Sequence, residues 1–436
     1  MRSALLLLLV NAAACGEDAV NTPEVDTPAG NRPDPRVIPG GGIGDGAIDG
    51  VVNLYVIDET SRDPIAGAEV RVGTVTGLTG ADGLFVAEGV VGPQDVVVKA
   101  PGHRKELWVG VNGANVTIDV ETDLAATPAS VTLSGTVLNF ASVPFTVQPN
   151  HAKVALIQYS QTAKLGDPAN EIATTANGNL CFADPCTFTI NTRTGKLALL
   201  ATILDFDTKG TDDDADDTIA VIGYAVRQGI DTASASSAQD LTVIADANLQ
   251  LVAVDLGAPP STLDQRGALV AIELGDEGVL PVGTFGAVSG KVPKLSALTG
   301  ATGYRLTAFA TDGAVAAAQS IALRRGLTGT TLSAGDWLAP PTGISLTRQA
   351  GSWTNASGAT VHSIELSQGA TRILNVTVFD STRTSFDIPS SITLPSGPLS
   401  AVVNAFGATG FDVTSFSLDQ DLDKIDRIGG QQTTIN

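Results

Sequence analysis

Asp63-Pro-Ile-Ala-Gly-Ala-Glu-Val70 and Thr79-Gly-Ala-Asp-Gly-Leu-Phe85 decide the fold. Gly67 and Gly83 suit turn positions that need a positive φ, Asp82-Gly83 signals a hairpin, and Val70 and Phe85 point toward a core. The same rhythm runs along the chain. Short runs rich in Val, Ile, Leu and Thr recur about 8 to 14 residues apart, separated by Gly, Asp, Asn and Pro. They include 51–57, 96–98, 116–120, 131–137, 154–157, 197–204, 219–226, 241–244, 249–256, 269–274, 305–310, 373–378 and 399–403. Only 314–322 is ambiguous with a helix. The expected fold class is all-β: tandem antiparallel β-sandwich domains behind a flexible N-terminal tether.

Composition narrows the function. The chain has 436 residues, room for about three domains. Its 43% apolar share is enough for real cores. Acidic residues outnumber basic ones 46 to 25, for a net charge of -21. That excludes nucleic acid as the expected partner, because phosphate backbones need Lys and Arg. Three His leave little for a His-based active site.

The stretch 48–122 resembles the carboxypeptidase regulatory-like domain, a seven-stranded sandwich related to transthyretin. The resemblance rests on the two quoted segments, followed by Val96-Val-Val-Lys-Ala-Pro-Gly102 and Val116-Thr-Ile-Asp-Val120. His103 departs from it, since an aromatic residue usually follows that glycine. The resemblance implies a non-catalytic accessory module. A diverged second copy is expected over 126–260, with Ala152-Lys-Val-Ala-Leu-Ile157 matching the first strand and 241–244 and 249–254 completing the sandwich. A β-rich segment spans 263–340. Residues 341–436, with Trp353 followed by alternating strands, are similar to a fibronectin type III sandwich.

The N-terminus reads as an address. Met1-Arg-Ser3 is a positive start, 4–10 is apolar, and Ala12-Ala-Ala-Cys15 resembles a lipobox, with Ala12 in place of the usual aliphatic residue. Residues 1–14 are therefore expected to be a bacterial signal peptide and Cys15 the lipidation site; ordinary signal-peptidase cleavage nearby is the alternative. Seven apolar residues fall short of the roughly 20 that a membrane-spanning helix needs. Residues 15–47 are expected to form a lipid-anchored Gly/Pro-rich linker. Its Gly40, Gly41, Gly42, Gly44 and Gly46 follow no strand and precede no helix, so they are not read as a phosphate loop.

The other two cysteines, Cys181 and Cys186, flank Asp184-Pro185 turn chemistry and are expected to form a small-loop disulfide. Between two apolar strands, 205–217 carries seven carboxylates in 13 residues. On a calcium-loop template Asp205 and Asp207 take positions one and three, Gly210 the sharp turn, Asp213 position nine and Asp216 position twelve. Lys209 at position five and an Asp at twelve depart from the template. The alternative is a solvated loop that blocks edge pairing by charge. Calcium is the one cofactor candidate; none is certain.

Two His-x-x-Glu pairs, His103 to Glu106 and His362 to Glu365, lack the downstream third His of a zinc peptidase and are read as surface residues. No Gly-x-Ser-x-Gly elbow is present. Trp108, Trp337 and Trp353 are read as core or boundary residues, with glycan stacking as the alternative. The expectation is a non-enzymatic, lipid-anchored protein of the bacterial cell envelope, at the outer membrane or cell surface. Its sandwiches would serve as a binding or structural scaffold for protein or polysaccharide. An accessory subunit of a secreted peptidase or glycan-processing system is the alternative.

Overall fold

Thr79 closes the hairpin that the sequence singles out. Its hydroxyl accepts from the Ala68 amide at 2.9 Å and donates to the Ile65 carbonyl at 2.6 Å. Gly67 and Gly83 both sit at φ 72°. In the computed structural model, which describes residues 36–122, 128–163, 170, 172, 178–210, 217–234, 238–285, 289–313 and 317–435, the chain is all-β and built from five sheets. Residues 1–14, Cys15, Asp213 and Asp216 lie outside the described residues. None of the described helices is long and apolar enough to cross a membrane.

The stretch 48–122 forms a sandwich. Strands Asp49–Asp58, Leu84–Val91 and Asn115–Val120 lie in a five-stranded sheet. Facing them are Glu69–Val72, Val75–Leu78, Gln94–Lys99 and Lys105–Val111. Val52, Leu54, Val56, Val70, Val98, Trp108 and Ile118 fill the space between, with Phe85 packed at its margin. The five-stranded sheet also takes in Gly42–Gly44 and Phe416–Ser417. The expectation that 15–47 is linker throughout is corrected here. Gly42 pairs with both Thr117 and Ser417, and a Cβ on it would lie 2.1 Å from the Phe416 carbonyl oxygen. The glycines let the chain thread between two strands, a steric need that composition alone reads as flexibility.

Residues 130–243 form a seven-stranded sheet around Leu133, Ile157, Phe188, Ile190, Leu197, Leu199 and Ile203. Its Lys196–Asp207 strand is buried on both faces: Ala198 and Leu200 pack with Tyr224 against Val270, Leu280 and Val282 of the following segment. That explains its unbroken apolar run, Leu197-Ala-Leu-Leu-Ala. Of the two expected closing strands, Leu241–Val243 joins this sheet and 249–254 does not. A 3-10 turn at Asp246–Asn248 redirects the chain, and Leu249–Asp255 pairs with Ser289–Pro293 and Thr331–Ser333, where Val252 is buried among the next segment's side chains.

The largest sheet has twelve strands and draws on three stretches of sequence. Lys105–Val111 pairs in parallel with Thr371–Val378. That strand continues through Val361–Gln368 and Leu399–Ala408 to the C-terminal Ile425–Ile435, which then pairs with Ala318–Leu327. An edge that an isolated sandwich would leave unpaired is thereby covered. The face of this sheet that holds Ile364, Leu374, Val376 and Val403 is buried under Trp353 and Phe386.

Candidate functional site

Strand alternation dictates what the opposite face of that sheet carries. Register places Glu106, Asn375 and Glu365 in one row, and Trp108, Thr377, Ser363 and Asn404 in the next. Over these rows lie the end of Asn115–Val120 and the segment from Phe411 to Ile425, enclosing a cavity of about 120 Å³. One wall is aromatic: Trp108 meets Phe379 edge-on with centroids 5.1 Å apart, Phe379 lies 5.5 Å from Phe416, and Phe411 lies 4.9 Å from Phe416.

The other wall is acidic. Glu106 is buried; its carboxylate accepts from Arg104 Nε at 2.9 Å and from Asn375 Nδ2 at 2.9 Å. Arg104 Nη1 also reaches Glu121 Oε2 at 2.5 Å, and Arg372 pairs with the same carboxylate. Asp119 is also buried; Arg62 Nη1 lies 3.8 Å from its Oδ2, and the same arginine turns Nη2 toward Asp419 at 3.3 Å. Burial pushes the Glu106 carboxyl up from its ordinary range. Burial, with the charge of Glu59 second, pushes Asp119 up to about 8. Asp119 Oδ2 and Asn404 Oδ1 are buried and accept no hydrogen bond among the described residues.

The surface reading of the His-x-x-Glu pairs is corrected for Glu106 and His362. In a strand, residues three apart face opposite ways, so Glu365 lines the cavity while His362 is buried on the other face. The His362 ring lies 5.0 Å from that of Trp353, neither of its nitrogens has a partner among the described residues, and burial lowers its pKa to about 4. His103 Nε2 is 2.9 Å from Asp58 Oδ2, and its Nδ1 is 2.9 Å from the Pro101 carbonyl.

Asp205 and Asp207 share a face at the end of their strand, opposite His151. His151 Nδ1 lies 2.8 Å from Asp205 and its Nε2 lies 3.3 Å from Asp207. Asp207 also accepts from Lys209 through side chain and backbone, which holds its carboxyl below the usual range. Among the described residues no group of three or more His, Cys, Asp or Glu is arranged to hold a metal. Cys181 and Cys186 are disulfide-bonded, with Cα atoms 5.4 Å apart. Trp108 and Trp353 are buried, and half-buried Trp337 donates Nε1–H to the Leu256 carbonyl at 2.8 Å.

Sequence reasoning missed the cavity because its lining comes from strands in distant stretches. The available signal was an acid inside a Val-rich strand: every residue of Asn115–Val120 is buried, Asp119 included.

No family model matches the chain, and no curated protein does. Among solved structures it is similar, at 14% identity, to the tetra-tandem repeat in the extending region of a large adhesion protein, over 88% of this chain and 99% of that one. The TM-score is 0.14, and the likeness carries no argument.

Proposed function

We propose that this is a non-catalytic, lipid-anchored protein of the bacterial cell envelope whose joined β-sandwiches act as a binding or structural scaffold for protein or polysaccharide. The supporting observation is the twelve-stranded sheet: strands from 69–111, 265–327 and 361–435 share one hydrogen-bonded array, suited to holding binding surfaces in fixed relation. Among the described residues, no imidazole is hydrogen-bonded to a hydroxyl or a thiol. His103 and His151 contact carboxylates, and His362 is enclosed beneath Trp353. The anchor rests on the sequence ending at Cys15.

Two measurements test the reading. Cells fed a radiolabelled palmitate should label the wild-type chain and not Cys15→Ser; equal labelling removes the anchor. The purified chain should be retained by isolated envelope polysaccharide or envelope protein, and passage through both without retention removes the binding role.

A further inference from the structure

We propose that the cavity between Trp108 and Asp119 binds an organic cation: a primary ammonium on a short apolar stem, supplied by a free amine or by a lysine side chain. This rests on the reading of the chain as a binding protein and names the chemistry of one ligand.

Charge balance is the first support. Glu59, Glu106, Asp119, Glu121 and Glu365 line the cavity against one guanidinium, Arg104. Adding Arg62 and Arg372 at its edge leaves five acids facing three bases. Two of these carboxylates, Glu106 and Asp119, are buried, and a buried carboxylate is costly until a cation pairs with it or a proton is taken up.

Two buried acceptors without a hydrogen bond are the second support. Asp119 and Asn404 both line the cavity with side chains more than nine-tenths buried, and Asp119 Oδ2 and Asn404 Oδ1 are acceptors that take no hydrogen bond among the described residues. An ammonium supplies three donors and no acceptor. A neutral polyol would bring acceptors too and leave the charge uncompensated.

The third is the opposite wall. Trp108, Phe379 and Phe416 present aromatic surface, which attracts a desolvated organic cation and packs an alkyl stem. A hard divalent ion would need six or more oxygen ligands. Here the Glu106 and Glu121 carboxylates are already engaged by Arg104, Asn375 and Arg372, and the aromatic wall offers no ligand. A volume of about 120 Å³ limits the buried part to roughly the size of butylammonium, since an engineered cavity of about 150 Å³ holds benzene.

Asp119 feels the charges of Glu59, Arg62 and Glu106, and near pH 7 it holds its proton. Entry of a cation displaces that proton.

The test is calorimetric titration of the full chain with n-butylammonium chloride, Nα-acetyl-lysine amide, n-butanol and calcium chloride. The expected result is one-to-one binding of butylammonium, with about one proton released at pH 7 as read in buffers of different ionisation enthalpy. Asp119→Asn and Asn404→Leu should each weaken binding about tenfold or more, and n-butanol and calcium should give no heat. Tighter binding of the lysine amide than of butylammonium assigns the cation to a protein side chain; the reverse assigns a free amine. No butylammonium binding, no proton release, unchanged affinity in both variants, or equal binding of n-butanol or calcium overturns the proposal. None of these readouts depends on the anchor or on an envelope partner, so this proposal and the scaffold reading fail separately.

Discussion

Asn375 donates to Glu106 Oε2 at 2.9 Å across 269 positions of sequence, joining two parallel strands at the floor of the cavity. Removing one partner from a buried, hydrogen-bonded charge leaves the other uncompensated, which typically costs about 3–5 kcal/mol. Arg104 keeps Glu121 when Glu106 is lost, so Glu106→Ala should destabilise by about 3 kcal/mol, the lower end of that range. Asn375→Ala should cost about 1–2 kcal/mol. Because the two share one bond, the double variant should lose less than the sum, and a denaturant-melt cycle reads that coupling. Strict additivity would show that the bond does not join the strands energetically.

The features legible in the sequence are the local ones. Thr79, Asp82 and Gly83 lie within five residues of one another and specify their hairpin by hydrogen bond and backbone angle, whatever surrounds them. Cys181 and Cys186 are brought together by the intervening turn in the same way. The pairing of Lys105–Val111 with Thr371–Val378 has no such marker, because nothing in either strand names its partner. Glu106 therefore reads as a surface residue, although a second layer covers its side of the sheet. Gly40 to Gly44 misled for the opposite reason: the absence of side chains records close packing here as readily as freedom.

His362 should make stability depend on acid pH. Its pKa is about 4 in the fold, against an ordinary value of 6.5. Between these values the unfolded chain binds a proton that the folded chain refuses, so stability is fully present above pH 6.5 and falls as pH drops toward 4. At about 1.36 kcal/mol per pKa unit the effect is on the order of 3 kcal/mol. His362→Phe keeps a ring against Trp353 and removes the titration. Melting temperatures taken from pH 7 to 4 should fall less steeply for the variant. Parallel curves would place His362 in contact with water.

Asp119 should act in the opposite direction and in a different window. Its folded pKa of about 8 lies above the ordinary 3.8, so the folded chain keeps a proton that the unfolded chain has released. Stability from this group is greatest below about pH 4 and is lost as pH rises to about 8. Asp119→Asn mimics the protonated form at every pH. Its melting temperature should match that of wild type near pH 3.5 and exceed it progressively toward pH 8.5. A constant offset across that range would mean that Asp119 is ionised throughout, held by Arg62.

Gly42 distinguishes a strand from a tether. Its φ is 150°, and a Cβ there would press to 2.1 Å from the Phe416 carbonyl oxygen, a backbone atom that cannot swing aside. Gly44, two residues on, has its nearest neighbour, the Ile38 side chain, at an ordinary 3.5 Å and has no positive φ. Gly42→Ala should therefore split the contact between the 42–44 strand and Phe416, with a cost of about 2–4 kcal/mol from overpacking and backbone strain combined. Gly44→Ala should be neutral or stabilise by up to about 1 kcal/mol, through the reduced freedom of the unfolded chain. Amide exchange should show the split locally: protection at Leu418, whose amide donates to the Gly41 carbonyl at 2.8 Å, should be lost in the first variant and kept in the second. Equal, small effects from both substitutions would return 40–46 to the tether.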